Sequence, residues 1–209
     1  MAKVLEKVER RLGEKLFLKG ERCLGAKCAH IRRPYPPGAH GKGSRRASTS
    51  EFGVQLKEKQ KVKFLYGLRE RMLARYFVDA LRDKKHPTGD ALMNMLEKRL
   101  DNALFRSGFV VSRSIAHNLV SYGHVLVNKR TVTRPSYSVS IGDVIELSPK
   151  ILNNPAFGED FLFRFKKYEA PEWIKLDKDK KTAQIVKEPY ESDFVVDPNI
   201  KLVVEFYSR

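Results

Sequence analysis

Cys23 and Cys28, in the segment KGERCLGAKCAHIRRP, are the only two cysteines among 209 residues. Thiolates so closely spaced are the ligands that structural zinc takes. His30 and His40 could add nitrogen ligands and Glu6 and Glu9 oxygen. Half of a metal site and a pair of ordinary thiols beside positive charge are therefore both open readings. A second chemistry is carried by cations. Arg32, Arg33, Arg45 and Arg46 offer planar guanidinium forks, and Lys57, Lys59, Lys61 and Lys63 offer ammonium groups along one stretch. Both group types suit phosphate.

The composition carries the same message. The chain has 41 Lys and Arg against 25 Asp and Glu, a formal charge of +16, which favours a polyanionic partner, nucleic acid ahead of an anionic membrane. The excess is uneven. Residues 1–89 hold 23 basic and 9 acidic side chains, +14, while residues 90–209 hold 18 and 16, +2. Electrostatic attraction thus belongs to the first part, and the second must bind by shape and by a few placed residues. The +14 imbalance implies too few carboxylates near the lysine run to neutralise it. No run approaches the ~18 apolar residues of a membrane span, and MAKVLEKVERR lacks the apolar core of a secretory signal, so a cytoplasmic protein without membrane contact is expected. Two cysteines in this length argue against a disulfide-stapled scaffold.

Several elements must position these groups. A short helix is expected to end at Gly13; CLGAKC through RRPYPPGAHGKGSRRASTS is a loop, since Pro34, Pro36 and Pro37 forbid regular helix. Ser50 caps a helix through EFGVQLKEKQKVKFLYG, broken at Gly67. LRERMLARYFVDALRD places Leu68, Met72, Arg75, Tyr76 and Asp79 on one core-facing stripe. ALMNMLEKRLDNALFRSG reads as one amphipathic helix with Leu92, Met95, Leu96, Leu100, Ala103 and Leu104 inward. Ser112 caps a helix ending at Gly123, after which HVLVN, RTVT, SYSVS and VIELS read as short strands packed on two helices. KLVVEFYSR reads as a closing strand.

The segment KRLDNALFRSGFVVSRSIAHNLVSYGHVLVNKRTVTRPSYSVSIGDVIEL resembles the small RNA-binding module first recognised in the fourth protein of the small ribosomal subunit. That module is shared with pseudouridine synthases, a heat-shock ribosome-binding protein and tyrosyl-tRNA synthetases. The flanking segments KLFLKGERC, RRPYPPGAHG, FGVQLKEKQKVKFLYG and LVVEFYSR are similar, in order, to bacterial-type members of the ribosomal S-four family along essentially the whole chain. The resemblance implies an α+β protein, a mostly helical basic domain with an inserted helix-helix-sheet module. Its divisions would be residues 1–48, a basic extension with the Cys-x4-Cys loop; 49–97 with 151–209, a helical domain; and 98–150, the module. It also implies a structural protein without catalysis that binds small-subunit ribosomal RNA in the 5′ domain early in assembly. A place near the messenger entry path, beside neighbouring ribosomal proteins, with an effect on decoding accuracy and repression of its own messenger, is implied too. The competing readings are an RNA-modifying enzyme of the pseudouridine synthase type, for which Arg99-Leu100-Asp101 would have to supply an aspartate, and an accessory ribosome-associated protein.

Folded RNA is read through backbone and shape, and a capped helix start with an adjacent guanidinium suits phosphate. Arg99, Ser112, Arg113, His117, Asn128 and Arg130 are the expected contacting edge of the module. Tyr35, Phe52 and Tyr66 could stack on bases, although packing suits Phe52 and Tyr66 better. Lys42, Arg45 and Arg46 resemble the region that approaches messenger RNA in the family. Asn128-Lys129 stands where members often have Asn-Gly, and a tight turn there would strain Lys129 or require a longer hairpin. Many members bind zinc or an iron–sulfur cluster with four cysteines; the positions of the first pair hold Glu6 and Glu9 here, so no cofactor is expected.

Overall fold

The computed structural model describes residues 5–43, 50–189 and 199–209. Two compact units emerge, one of Met1–Gly89 with Val195–Arg209 and one of Asp90–Phe194.

The first unit is helical. Helix α1 (Leu5–Leu12) stops at Gly13, whose φ of 72° suits a residue without a Cβ. A 3-10 turn (Gly20–Cys23) and the short α2 (Ala29–Arg32) follow. In α3 (Glu51–Leu65) the Ser50 hydroxyl accepts from the Gly53 N–H, the expected cap. Helix α4 (Glu70–Arg82) buries Leu73, Phe77 and Ala80, while Met72 and Arg75 are exposed. The inward stripe is thus offset by one residue from the sequence reading, because Phe77 stacks on Tyr207 at 4.8 Å and sets the rotation.

The final segment is α10 (Ile200–Tyr207), a helix where a strand was expected. LVV fits either period, but the Asn199 side chain accepts from the Leu202 N–H and caps a helix that packs on α3 and α4. Leu12, Leu16 and Leu18 bury against Leu5, Val8 and Phe64.

The second unit contains α5 (Thr88–Glu97) from Asp90 onward, then α6 (Leu100–Arg106), α7 (Arg113–Ser121), β1 (Val125–Val127), β2 (Arg130–Thr131), β3 (Val144–Leu147), α8 (Pro149–Leu152), α9 (Pro155–Lys167), β4 (Ile174–Asp177) and β5 (Thr182–Ile185). The single helix expected over 91–108 is broken at Lys98-Arg99. There the chain turns to pair with the 137–139 segment: Leu100 N–H donates to the Tyr137 carbonyl and Val139 N–H to that of Lys98. SYSVS contributes only an isolated bridge, Arg99 to Ser138. The antiparallel sheet has the order β2-β1-β3-β5-β4.

Pairing of β3 with β5 joins the 174–185 hairpin to the module's sheet. This differs from the expected division, which put 151–209 with the helices. The cause is apolar. Alternate residues Val125, Val127, Ile145, Leu147, Ala183 and Ile185 line one sheet face and bury with Leu100, Leu104, Phe161, Phe165 and Trp173 in one core. Phe109 stacks on Phe161 and Phe165 at 5.7 and 5.0 Å.

Candidate nucleic-acid interface

The break before α6 turns a polar cluster inward. Glu97 is fully buried and receives a two-pronged fork from Arg106, Nε to Oε2 and Nη2 to Oε1, both at 2.9 Å. The Asn102 amide donates to Glu97 Oε2 at 2.7 Å and to the Glu97 carbonyl at 3.0 Å. Its Oδ1 accepts from Arg113 Nε at 2.7 Å, and the Arg113 guanidinium lies 4.5 Å from the Phe105 ring centre. A buried ion pair thus fixes an amide, and the amide fixes a half-buried arginine at the first position of α7. Beside it the Ser112 hydroxyl accepts from the Ile115 N–H. The local result is a capped helix start with a pre-oriented guanidinium.

Gly108 lies behind this cluster at φ 73°, and a Cβ there would meet the Tyr168 ring at 2.4 Å. Burial pushes the Tyr168 hydroxyl's pKa up against the opposing pull of Arg106 and Arg113. Glu97, Asn102, Arg106 and Tyr168 were not among the residues singled out from the sequence. Glu97, Asn102 and Arg106 read as the polar side of one continuous helix, and only the break at Lys98-Arg99 turns them inward; Tyr168 follows α9, far along the chain.

Arg99 corrects an expectation. Its Nε and Nη2 fork onto Asp101 at 3.0 and 2.6 Å, and the residue is 4% exposed, so its charge is matched inside the module and not presented to a ligand. Asp101 also accepts from the Asn102 N–H at 2.9 Å, and His117 Nδ1 is 3.5 Å from its Oδ2. A carboxylate so occupied is an orienting group. His117 is exposed on α7 in the turn after Arg113. Ser112 is buried and acts through its cap.

The hairpin is a two-residue turn, pairing Val127 with Arg130, and Asn128 and Lys129 take φ of 51° and 65°. Lys129 therefore carries the left-handed strain that glycine would avoid. The Asn128 side chain is occupied, donating to Asp143 Oδ1 at 2.8 Å and accepting from the Val144 N–H at 3.0 Å. Its role is to hold the turn. Arg130 and Lys129 are exposed.

In the first unit the lysine run departs furthest from expectation. Lys59, Lys61 and Lys63 are buried, and Lys57 is half-buried. Glu70 takes Lys59 at 2.6 Å and Lys63 at 2.8 Å; Glu14 takes Lys57 at 2.9 Å and Lys61 at 2.8 Å. The spacing of two residues carries each lysine about 200° around α3 from the last, so the four cannot share one face. Carboxylates from outside the helix meet them instead. Partial burial opposes ionisation of Glu70, but hydrogen bonds from Lys59, Lys63 and Tyr207 outweigh it and hold its pKa near 2. Glu14 is lowered too, against desolvation, by Lys61 and Lys57.

Arg32, Arg33 and Lys42 are exposed. Tyr35 lies between cations, 5.0 Å from the Arg10 guanidinium and 5.8 Å from Lys42 Nζ. Tyr66 is buried and belongs to packing, while Phe52 packs on Phe206 at 5.6 Å and stays about half exposed. Arg45 and Arg46 lie outside the described residues.

The cysteine loop does not fit a four-thiolate site. Glu9 Oε1 accepts from the N–H groups of Leu16 and Leu18 at 3.2 and 3.1 Å, and both its oxygens lie 3.9 Å from Cys23 Sγ. Glu6 Oε1 sits 2.9 Å from Arg22 Nε, an ion pair without hydrogen-bond alignment. Burial raises the Cys23 pKa; a hydrogen bond with the Lys19 backbone opposes this, and the charges of Glu9, Cys28 and Glu6 add to the rise. Zinc requires thiolate, and this environment favours thiol. Among the described residues no group of three or more His, Cys, Asp or Glu could hold a metal.

The sequence has counterparts among known proteins. A family described as "Ribosomal protein S4/S9 N-terminal domain" matches residues 5–97, and "S4 domain" matches residues 98–145. The small ribosomal subunit protein uS4 of Caldicellulosiruptor saccharolyticus is 44% identical over 200 residues, covering 96% of this chain and 94% of the relative. That of Syntrophomonas wolfei is 44% identical over 201 residues, and that of Trichlorobacter lovleyi 46% over 200, each with the same coverage. The chain belongs to the uS4 family of ribosomal proteins. This is a ribosomal family and not one of enzymes, in keeping with an Asp101 whose oxygens are bound by Arg99 and the Asn102 backbone. The Ser112–Arg113 helix start and the Glu97–Asn102 cluster are therefore parts of, or adjoin, an S4 domain, and Arg32, Arg33 and Lys42 belong to the N-terminal family region. No helix among the described residues is long and apolar enough to cross a membrane.

Proposed function

We propose that this uS4 family protein is a structural constituent of the small ribosomal subunit that binds its ribosomal RNA through the phosphate backbone, in the 5′ domain and early in assembly. The observation that carries this reading is Arg113, held through Asn102 to the buried Glu97–Arg106 pair at the capped start of α7. Such anchoring keeps a guanidinium in place for a rigid phosphate and lowers the ordering cost of binding. The exposed Arg32, Arg33, Lys129 and Arg130 supply further phosphate contacts, and His117 joins the edge of α7. Lys42, Arg45 and Arg46 contribute contacts to messenger RNA near the entry path, beside neighbouring ribosomal proteins, with consequences for decoding accuracy and for repression of its own messenger. No metal takes part, because Glu9 does by hydrogen bonding what a metal would do by coordination.

The test is filter binding of the purified chain to small-subunit ribosomal RNA, with large-subunit RNA as competitor. Preferential binding to the first at physiological salt is the expected result. Arg113→Ala should weaken it about tenfold or more without loss of fold, the scale of a charge-assisted contact. Equal affinity for both RNAs would overturn the reading.

A further inference from the structure

Beside α1 lies a concave pocket of about 270 Å³ whose lining is almost wholly cationic. Lys7, Arg10, Arg22, Lys27, Arg32 and Arg33 converge on it, and among the described residues Glu6 is the one carboxylate lining it. Their roles divide. Arg10 is fixed, its Nε donating to the carbonyls of Arg33 and Tyr35 at 2.9 and 3.0 Å, so it pins the extended Arg33–Pro36 backbone as one wall. Arg22 is paired with Glu6. Lys7, Lys27, Arg32 and Arg33 make no ion pair among the described residues, and all four are exposed. This is the reverse of α3, where each lysine of the run has its carboxylate.

We infer that this pocket seats a phosphodiester of the bound RNA backbone, gripped by Lys7, Lys27, Arg32 and Arg33 on a frame set by Arg10. The inference rests on the ribosomal-RNA reading above and adds a particular receptor to it. Unpaired cations crowded around a concavity repel one another, and an entering phosphate relieves that repulsion while releasing counterions. At about 30 Å³ per water the space equals roughly nine waters. That suits one phosphate with the edges of its sugars better than a stacked base. Free phosphate shares the chemistry but not the multivalency, since neighbouring phosphates of a polymer hold each other in place.

The test uses the full chain and amine acylation read by mass spectrometry. Small-subunit ribosomal RNA should protect Lys7 and Lys27, and millimolar inorganic phosphate should not. The double substitution Lys7→Gln with Lys27→Gln should leave the thermal unfolding midpoint unchanged. It should also reduce the slope of log affinity against log salt by about 1.4 to 1.8, at roughly 0.7 to 0.9 per lost contact. An unchanged slope, or lysines left reactive while the RNA still binds, overturns the pocket and leaves the wider reading standing. Protection by phosphate alone assigns the pocket to a free anion and overturns the inference. Failure of the unaltered chain to bind the RNA overturns the wider reading, and the pocket's assignment to RNA with it.

Discussion

Asn102 touches no expected ligand, yet it joins the two parts of the candidate interface. Its amide donates into the buried Glu97 carboxylate and its oxygen accepts from Arg113. Substitution by alanine removes a partner from each, and an under-satisfied buried charge costs about 1–3 kcal/mol. We expect Asn102→Ala to lower stability by that amount, measured by urea unfolding, and to weaken RNA binding by less than Arg113→Ala does, since the guanidinium loses its aim but not its charge. Arg113→Ala should show the opposite balance, with less stability lost, because the half-buried site admits water to Asn102 Oδ1, and more affinity lost. Lys129 offers a gain instead. At φ 65° it occupies a conformation that costs an ordinary residue about 1–2 kcal/mol, and glycine would return part of that to unfolded-chain entropy. Lys129→Gly should therefore raise stability by about 0.5–1 kcal/mol, visible as a later urea midpoint at an unchanged m-value. The sequence left a strained turn or a longer hairpin open at Asn128-Lys129, and the pairing of Val127 with Arg130 selects the strained turn; the Asn102 relay was not legible, because it depends on where the chain breaks.

At the scale of elements, α3, α4 and α10 are tied by Glu70, which receives Lys59, Lys63 and the Tyr207 hydroxyl at 2.6, 2.8 and 3.1 Å. Its pKa near 2 in the folded protein, against 4.5 ordinarily, makes the tie sensitive to acid. A carboxylate depressed by folding stabilises fully above its ordinary pKa and loses that contribution as pH falls through 4.5 toward 2. At neutral pH, Glu70→Gln should cost about 1–2 kcal/mol, less than a fully buried pair because the carboxylate is nearly half exposed. The gap between the two proteins should close when unfolding is followed down from pH 5 to pH 2, and a constant gap would refute this account. The helices themselves were legible wherever end signals are local: Ser50 and Ser112 cap as their sequence suggests, and Gly13, Gly67 and Gly123 end helices at positive φ. Besides the α4 stripe and SYSVS, period alone misled at two elements. LVVEFY fits a strand or a helix until its contacts with α3 and α4 decide, and ALMNMLEKRLDNALF keeps a helical stripe across a real break, with Leu92 and Leu96 before it and Leu100 and Leu104 after it all buried.

For the whole molecule, net charge conceals a division of labour among cations. The imbalance of +14 over residues 1–89 says nothing about which side chains carry it outward, and the lysine run most evident in the sequence is turned onto the shared carboxylates Glu14 and Glu70. The outward charge comes from scattered positions such as Lys7, Lys27, Arg32 and Arg33, which no periodicity marks. Paired and unpaired cations should respond oppositely to removal. Lys61→Gln separates contacts to Glu14 at 2.8 Å and Glu58 at 3.7 Å, so it should lower stability by about 1–2 kcal/mol, reduced from a sealed pair because Glu14 stays about a third exposed. With no counterion to release, it should leave the salt slope of RNA binding unaltered. Arg32→Gln with Arg33→Gln should do the converse, leaving the urea midpoint in place and flattening the slope by about 1.4 to 1.8. Measuring both quantities on both proteins separates charge that holds the fold from charge that meets RNA. If Lys61→Gln flattened the slope as much as the arginine pair did, the ion pairs of α3 would have to open on binding, and the lysine run would return to the interface.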